Sequence, residues 1–253
     1  MGEGMTLEEA HTKGFDLMRE HSMRFVAYIS TMTGSDLTRP VPRSDWNAGE
    51  VIAHVQSVYE RYTINSQRSG SASSVAEQNA REVAQLGVDV EAAAASIQAQ
   101  VELLALTVPT VDAAQEFPFH GGLTVTLAGG WGNLLGELLA HGDDIATATG
   151  RPFQIPSADL EIVPRYTTHL LAAWLSPGAA HVDESWDLEY PFGLTRFTIA
   201  DGVFHSGTDV DPRPVHHTIE IDDAAEWLLT CPYRRRTPVD EIAAHLVDQF
   251  VAL

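Results

Sequence analysis

The stretch Trp131 to Gly150, WGNLLGELLAHGDDIATATG, constrains this chain more than any other, because it sets Glu137 and His141 one helical turn apart within an apolar stripe of Leu134, Leu138 and Ile145. A carboxylate and an imidazole at i and i+4 project from the same face of a helix. On a face that enters a core, each costs several kcal/mol unless it is satisfied, and one divalent metal ion satisfies both. Such an ion needs a third ligand from elsewhere in the chain.

In NAGEVIAHVQSVYERY the apolar residues Val51, Val55, Val58 and Tyr62 recur at helical spacing, and His54 lies beside Val51 and Val58 on the inward stripe. Alone, a histidine on such a face is as readily a core residue bonded to a backbone carbonyl, and E-x-x-x-H a solvated surface pair. Together they place His54, Glu137 and His141 in one core. That is the usual number of protein ligands for a catalytic zinc, with a coordination position left for water or substrate.

The rest of the N-terminal half supplies the scaffold. A first helix begins at Thr6, where T-L-E-E reads as a capping box, and runs through Phe15, Met18, Phe25, Ile29 and Met32 to a stop at Gly34. Asn47, with Glu50 three residues on, caps the helix of His54. SQRSGSASS reads as a surface loop. A third helix carries Val83, Leu86, Val90, Ile97, Val101 and Leu104 on one face and stops before Pro109, and the fourth is the Glu137 helix, closed by Gly150 and Pro152. The economical fold is a four-helix bundle over residues 1–150.

RPFQIPSAD reads as a linker. From about residue 158 to 253 the pattern is α+β: a helical stretch to Leu175, then SWDLEYPF, LTRFTIAD, GVFHSGTD and VHHTIEID with period-two alternation and a D-G turn at Asp201–Gly202, predicting an antiparallel sheet. His216 and His217, adjacent in a strand, point to opposite faces. Two helices follow, DDAAEWLLT and a last one with Thr237 as cap and Pro238 in its first turn. The second half is expected to be a separate, smaller domain.

Charge and cysteine content narrow the function. Thirty-five acidic against fifteen basic residues give a formal charge of −20, a field that repels nucleic-acid backbones and anionic membranes. An anionic small substrate therefore needs a local cationic pocket, and the dense basic cluster is Arg234, Arg235 and Arg236. The single cysteine, Cys231, excludes an internal disulfide, fits a reducing compartment, and follows the apolar run WLL as a small buried hydrophobe would. With no apolar run of membrane-spanning length and no signal-peptide pattern at MGEGMTLEEA, the expected location is the cytoplasm.

The segments PVPRSDWNAGEVIAHV and FPFHGGLTVTLAGGWGNLLGELLAHGDDIATATGRP resemble the two motif regions of the mycothiol-dependent maleylpyruvate isomerase N-terminal domain, a DinB-like four-helix bundle. The resemblance implies the same metal ligands, His54, Glu137 and His141. The family's last-helix motif is similar to Glu137, His141, Gly142, Asp144 and ATATG here, although the position before Asp144, often tryptophan in such proteins, is Asp143. Asp144 is placed to hydrogen-bond a ligand imidazole, and His120, beside Gly121 and Gly122 just before the helix, to line the mouth of the site. More loosely, the C-terminal half resembles the sterol-carrier-type α+β domain that accompanies the bundle, in which an arginine meets the substrate carboxylates. That role falls to one of Arg234, Arg235 and Arg236.

What the resemblance implies is a zinc-dependent enzyme with mycothiol as thiol cosubstrate: a metal-held thiolate adds to the cis double bond of maleylpyruvate, the single bond rotates, and elimination returns the trans isomer. One alternative is an S-transferase that leaves the thiol attached to another electrophile. Another is a non-catalytic metal or small-molecule binding module.

Overall fold

The structure is a computed structural model that describes residues 5–65, 67–231 and 233–251. The N-terminal half is helical. Helices α1 (Leu7–Ile29), α3 (Ala48–Thr63), α5 (Val90–Thr107) and α6 (Leu127–Thr149) form the four-helix bundle, with a one-turn α2 (Gly34–Leu37) and an added α4 (Ala72–Leu86) packed on α3. Its core is the set of stripes read from the sequence, including Met18, Phe25, Val55, Ile97, Leu134, Leu138 and Ile145.

Local signals fix several helix starts. The Thr6 amide donates to the Glu9 carboxylate at 2.9 Å while the Glu9 amide donates to the Thr6 hydroxyl at 3.3 Å, and Asn47 with Glu50 repeats this reciprocal cap at 2.8 and 3.0 Å. Other boundaries differ from the sequence reading. The first helix stops at Ile29, and Gly34 opens α2 instead of closing α1. The expected single third helix is two, because Gly87 takes a positive φ of 68° and Asp89 caps a fresh helix through the Ala92 amide. Of the expected loop SQRSGSASS, Ser66 lies outside the described residues, and Ser71 caps α4, whose first turn uses the end of that stretch.

Between α5 and α6 a short hairpin, β1 (Glu116–Pro118) with β2 (Thr124–Thr126), carries His120 in its connection. The expected linker is packed instead: Phe153 meets Phe25 edge-on and Tyr28 at a tilt, and Ile155 is buried in the bundle core. Helix α7 (Ile162–Tyr166) then packs on α6, while a 3-10 segment Thr168–Trp174 lies against the hairpin and the strand Val203–Gly207.

The C-terminal half holds a four-stranded sheet in the order β5-β4-β3-β6, from β3 (Glu184–Tyr190), β4 (Gly193–Ala200), β5 (Val203–Gly207) and β6 (Val215–Glu220). The pairs β3–β4 and β4–β5 are antiparallel, the latter turning at Asp201–Gly202 with both φ values positive, as a two-residue hairpin requires. β6 joins in parallel, Glu184 opposite Val215, because the long connection after β5 carries the chain back across the sheet. Trp186, Leu188, Phe197, Ile199 and Ile219 pack one sheet face against α8 (Ala224–Thr230) and α9 (Glu241–Val247). Asp240 caps α9, not Thr237: its carboxylate accepts from the Ala243 amide at 2.7 Å, whereas Pro238 lies before the helix. Among the described residues no helix is long and apolar enough to cross a membrane.

Candidate metal centre

Two helices of the bundle bring the predicted donors together. His54 on α3 and Glu137 and His141 on α6 present one ligand atom each within 4.8 Å of one another, the only such group among the described residues. His141 Nε2 stands 3.2 Å and His54 Nε2 3.7 Å from the same oxygen, Glu137 Oε2. The imidazoles are nearly sealed, at 4% and 9% exposure, while Glu137 keeps a fifth of its side chain (20%) open to a cavity.

The protonation states follow from the surroundings. Burial drives His54 down to about 4, against the pull of Glu137, so this ring is a neutral donor at physiological pH. Its Nδ1 is buried without a hydrogen-bond partner among the described residues, and its ring packs against Trp46 and, edge-on, His141. Burial opposes charge on His141 as well, but the Asp144 and Glu137 carboxylates overcome it and raise the ring to about 9. Glu137 is held far below the usual carboxylate range: burial works against its charge, and the two imidazoles outweigh it. A pair of carboxylates gripping a proton this firmly is a place where a cation is wanted. Two nitrogens and a carboxylate oxygen in a buried pocket suit a divalent ion such as zinc.

Asp144 lies directly behind His141. Its Oδ2 lies 3.0 Å from His141 Nδ1, and since the carboxylate only accepts, Nδ1 is protonated and donates, while Nε2 faces Glu137. On its other side Asp144 receives Arg235, through Nε to Oδ1 at 2.8 Å and Nη2 to Oδ2 at 2.9 Å. The other two arginines go elsewhere. Arg236 pairs with Asp143 through Nη1 and Nη2, at 2.8 and 2.7 Å, and Arg234 turns back to the Val247 and Phe250 carbonyls.

The donors open on a cavity of about 910 Å³ walled by both halves: Trp46, Val58 and Asn133 from the bundle, and Leu170, Trp174 and Tyr233 from the C-terminal side. His120 does line it, and it is buried, not a solvated turn. Its Nδ1 accepts from the Ser69 amide at 3.0 Å, which leaves the proton on Nε2, and burial with Arg61 and Arg68 lowers the ring to about 4.

Sequence reasoning did not find Tyr233. Its hydroxyl approaches the backbone of α6 so closely at Gly136 that a methyl there would overlap it, and burial lifts the phenol well above its usual value, so it is a neutral donor beside Glu137. The available signal was indirect: a glycine next to a ligand carboxylate and a tyrosine next to the arginine run.

The model of the mycothiol maleylpyruvate isomerase N-terminal domain matches residues 18–146, which contain all three donors and Asp144. The chain belongs to this family. Among solved structures, the crystal structure of the mycothiol-dependent maleylpyruvate isomerase is similar at 16% identity, covering 90% of each chain with a TM-score of 0.52. A histidine-to-alanine mutant of that isomerase gives the same values, 16% identity and 0.52. The likeness extends the shared fold beyond the bundle to the α+β half. Comparison with curated proteins gives no match.

Proposed function

We propose that this family member is a metal-dependent enzyme that uses mycothiol, or a thiol like it, to attack a small electrophile, most like a maleylpyruvate cis–trans isomerase. The observation that carries the reading is the buried His54–Glu137–His141 donor set opening on a cavity with walls from both halves of the chain. When bound there, a divalent ion such as zinc supplies positive charge that stabilises a thiolate near neutral pH.

The chain's own residues do the rest. His54, Glu137 and His141 would hold the ion, and Asp144 would keep the His141 proton on Nδ1. Trp46, Phe119 and Trp174 exclude water from the reacting groups, which strengthens every electrostatic contact inside. Tyr233 and His120, both neutral, offer hydrogen bonds to ligand oxygens without competing as bases. Within this reading residues 1–150 provide the metal site and residues 158–253 close it. The nucleophile is the added thiol, since Cys231 is buried in the sheet core and its thiol is pushed up to about 12.

One observation favours the S-transferase alternative. Three of the arginines around the cavity are engaged by the protein itself, Arg61 by Glu82 and Asn79, Arg68 by the Arg61 and Gln67 carbonyls, and Arg235 by Asp144, whereas Arg43 makes one long contact, to the Arg234 carbonyl at 3.4 Å. A site built for a dicarboxylate would be expected to hold such groups ready for the substrate. The deciding experiment incubates zinc-loaded protein with mycothiol and a panel of electrophiles, maleylpyruvate among them, and follows products by mass spectrometry. An isomerised product with free thiol supports the first reading and a stable S-conjugate the second. Absence of both, together with no metal-dependent thiol binding by calorimetry, would leave a binding module.

A further inference from the structure

Three consecutive arginines reach three destinations, and one of them grips the aspartate that accepts from His141. Arg235 grips Asp144 through two parallel hydrogen bonds of 2.8 and 2.9 Å, and Asp144 in turn accepts from His141 Nδ1 at 3.0 Å. Arg236 also grips its aspartate, Asp143, with two hydrogen bonds, end-on through Nη1 and Nη2, but Asp143 makes no such contact with any of the three donors. Asp144 is 5% exposed, and burial of a carboxylate between an imidazole and a guanidinium is tolerated only because both sides are paired.

We propose that Arg235 is a positioning residue of the metal centre, acting through Asp144 to hold His141, and not a clamp for a substrate carboxylate. The proposal rests on the metal-dependent reading above. Asp144 accepts the His141 proton on Oδ2, so its own orientation decides where the ring's Nε2 points. A lone aspartate on a helix can rotate; one held at both oxygens by a planar guanidinium cannot. Arg235 lies on the C-terminal half, beside Tyr233, whose carbonyl takes another of its hydrogen bonds at 2.6 Å. The donor set on the bundle is therefore tensioned from the other half of the chain.

The neighbouring pair provides the control. Zinc affinity is measured on the full chain by chelator competition, and ligand-field spectra are recorded on cobalt-loaded protein, for wild type, Arg235→Ala, Arg235→Lys, Asp144→Asn, Arg236→Ala and His141→Ala. Loss of this outer contact is expected to weaken zinc about 10–100-fold in Arg235→Ala and Asp144→Asn and to shift their cobalt bands. Arg235→Lys, which keeps charge but not the paired geometry, should fall between, and Arg236→Ala should bind zinc as wild type does.

The proposal is overturned if Arg235→Ala retains wild-type zinc affinity and cobalt bands, or if Arg236→Ala weakens zinc equally, which would reduce both pairs to fasteners between the halves. Should Arg235→Ala fail to fold by circular dichroism, Arg235→Lys and Asp144→Asn decide by the same readouts. Unchanged zinc binding in His141→Ala would instead sink the metal-centre reading itself.

Discussion

Among the described residues, two constellations in which a pair of imidazoles meets one carboxylate oxygen stand out, and they differ in nearly everything else. In the bundle, His54 and His141 stand 3.7 and 3.2 Å from Glu137 Oε2; on the sheet, His217 and His245 stand 2.9 and 3.0 Å from Glu184 Oε2. The sheet cluster is closed on itself. Both of its rings make direct hydrogen bonds, both pack on Trp186, and His245 is 44% exposed. In the bundle the His54 contact is too long to be a hydrogen bond, the rings are buried, and His141 is fixed from behind by Asp144. Residue types alone do not make a metal site; donor atoms left converging and unsatisfied, with their orientation set by outer contacts, do.

That contrast can be broken most directly by removing ligands from each cluster. The wild-type protein is expected to carry about one divalent ion per chain and to lose it in His54→Ala, Glu137→Ala or His141→Ala, because two remaining ligands rarely retain zinc against water. Glu184→Gln should leave metal content unchanged by elemental analysis. A Glu184→Gln protein depleted as deeply as Glu137→Ala would move the ion to the sheet and reverse the comparison.

Much of the bundle and its donors was legible in the sequence because each depends on local rules. Thr6 with Glu9 and Asn47 with Glu50 announce helix starts within four residues, and the stripes around His54 and Glu137 identify their inward faces without reference to the rest of the fold. What depended on contacts distant in sequence was not legible. Alternation revealed β6 as a strand, but its parallel pairing with β3 follows from the path of the connection. The 151–159 segment looks like a linker until Phe153 meets Phe25. Which of the three arginines pairs with Asp144, 91 residues earlier than Arg235, is decided by contacts distant in sequence, and no local pattern encodes that.

A second pair of contacts sharpens the comparison at smaller amplitude. Arg196 holds Asp187 on the sheet with the same two-pronged geometry, 2.6 and 2.8 Å, that Arg235 uses on Asp144. No metal ligand candidate depends on it, so its contribution should be to stability alone. Burial works against the charge on Asp187, yet Arg196 outweighs it and holds the carboxyl below its ordinary value. With the folded value depressed, the stabilisation is fully present above the unfolded carboxylate pKa of about 3.9 and disappears as pH falls through the folded value. Asp187→Asn is therefore expected to cost about 1–3 kcal/mol at neutral pH in urea unfolding, with the gap to wild type closing in acid and metal content unaltered. A gap that stays constant with pH would assign the loss to packing, not charge.

The smallest expected effect concerns the thiol that is not used. Cys231 sits in the sheet core at 3% exposure, and burial raises it to about 12 although Arg234 pulls the other way. At neutral or mildly alkaline pH it is a buried protonated thiol, so iodoacetamide should label it slowly in native protein and quickly in urea, the rate following exposure of the core. Cys231→Ala should cost about 1 kcal/mol or slightly more, the loss of one packed sulfur, and leave thiol-dependent turnover at the wild-type rate. If the folded Cys231→Ala protein bound zinc normally and yet turned over no substrate with added mycothiol, the nucleophile would have to come from the sheet half. The bundle's donor set would then serve to hold a substrate, and the two regions would have exchanged roles.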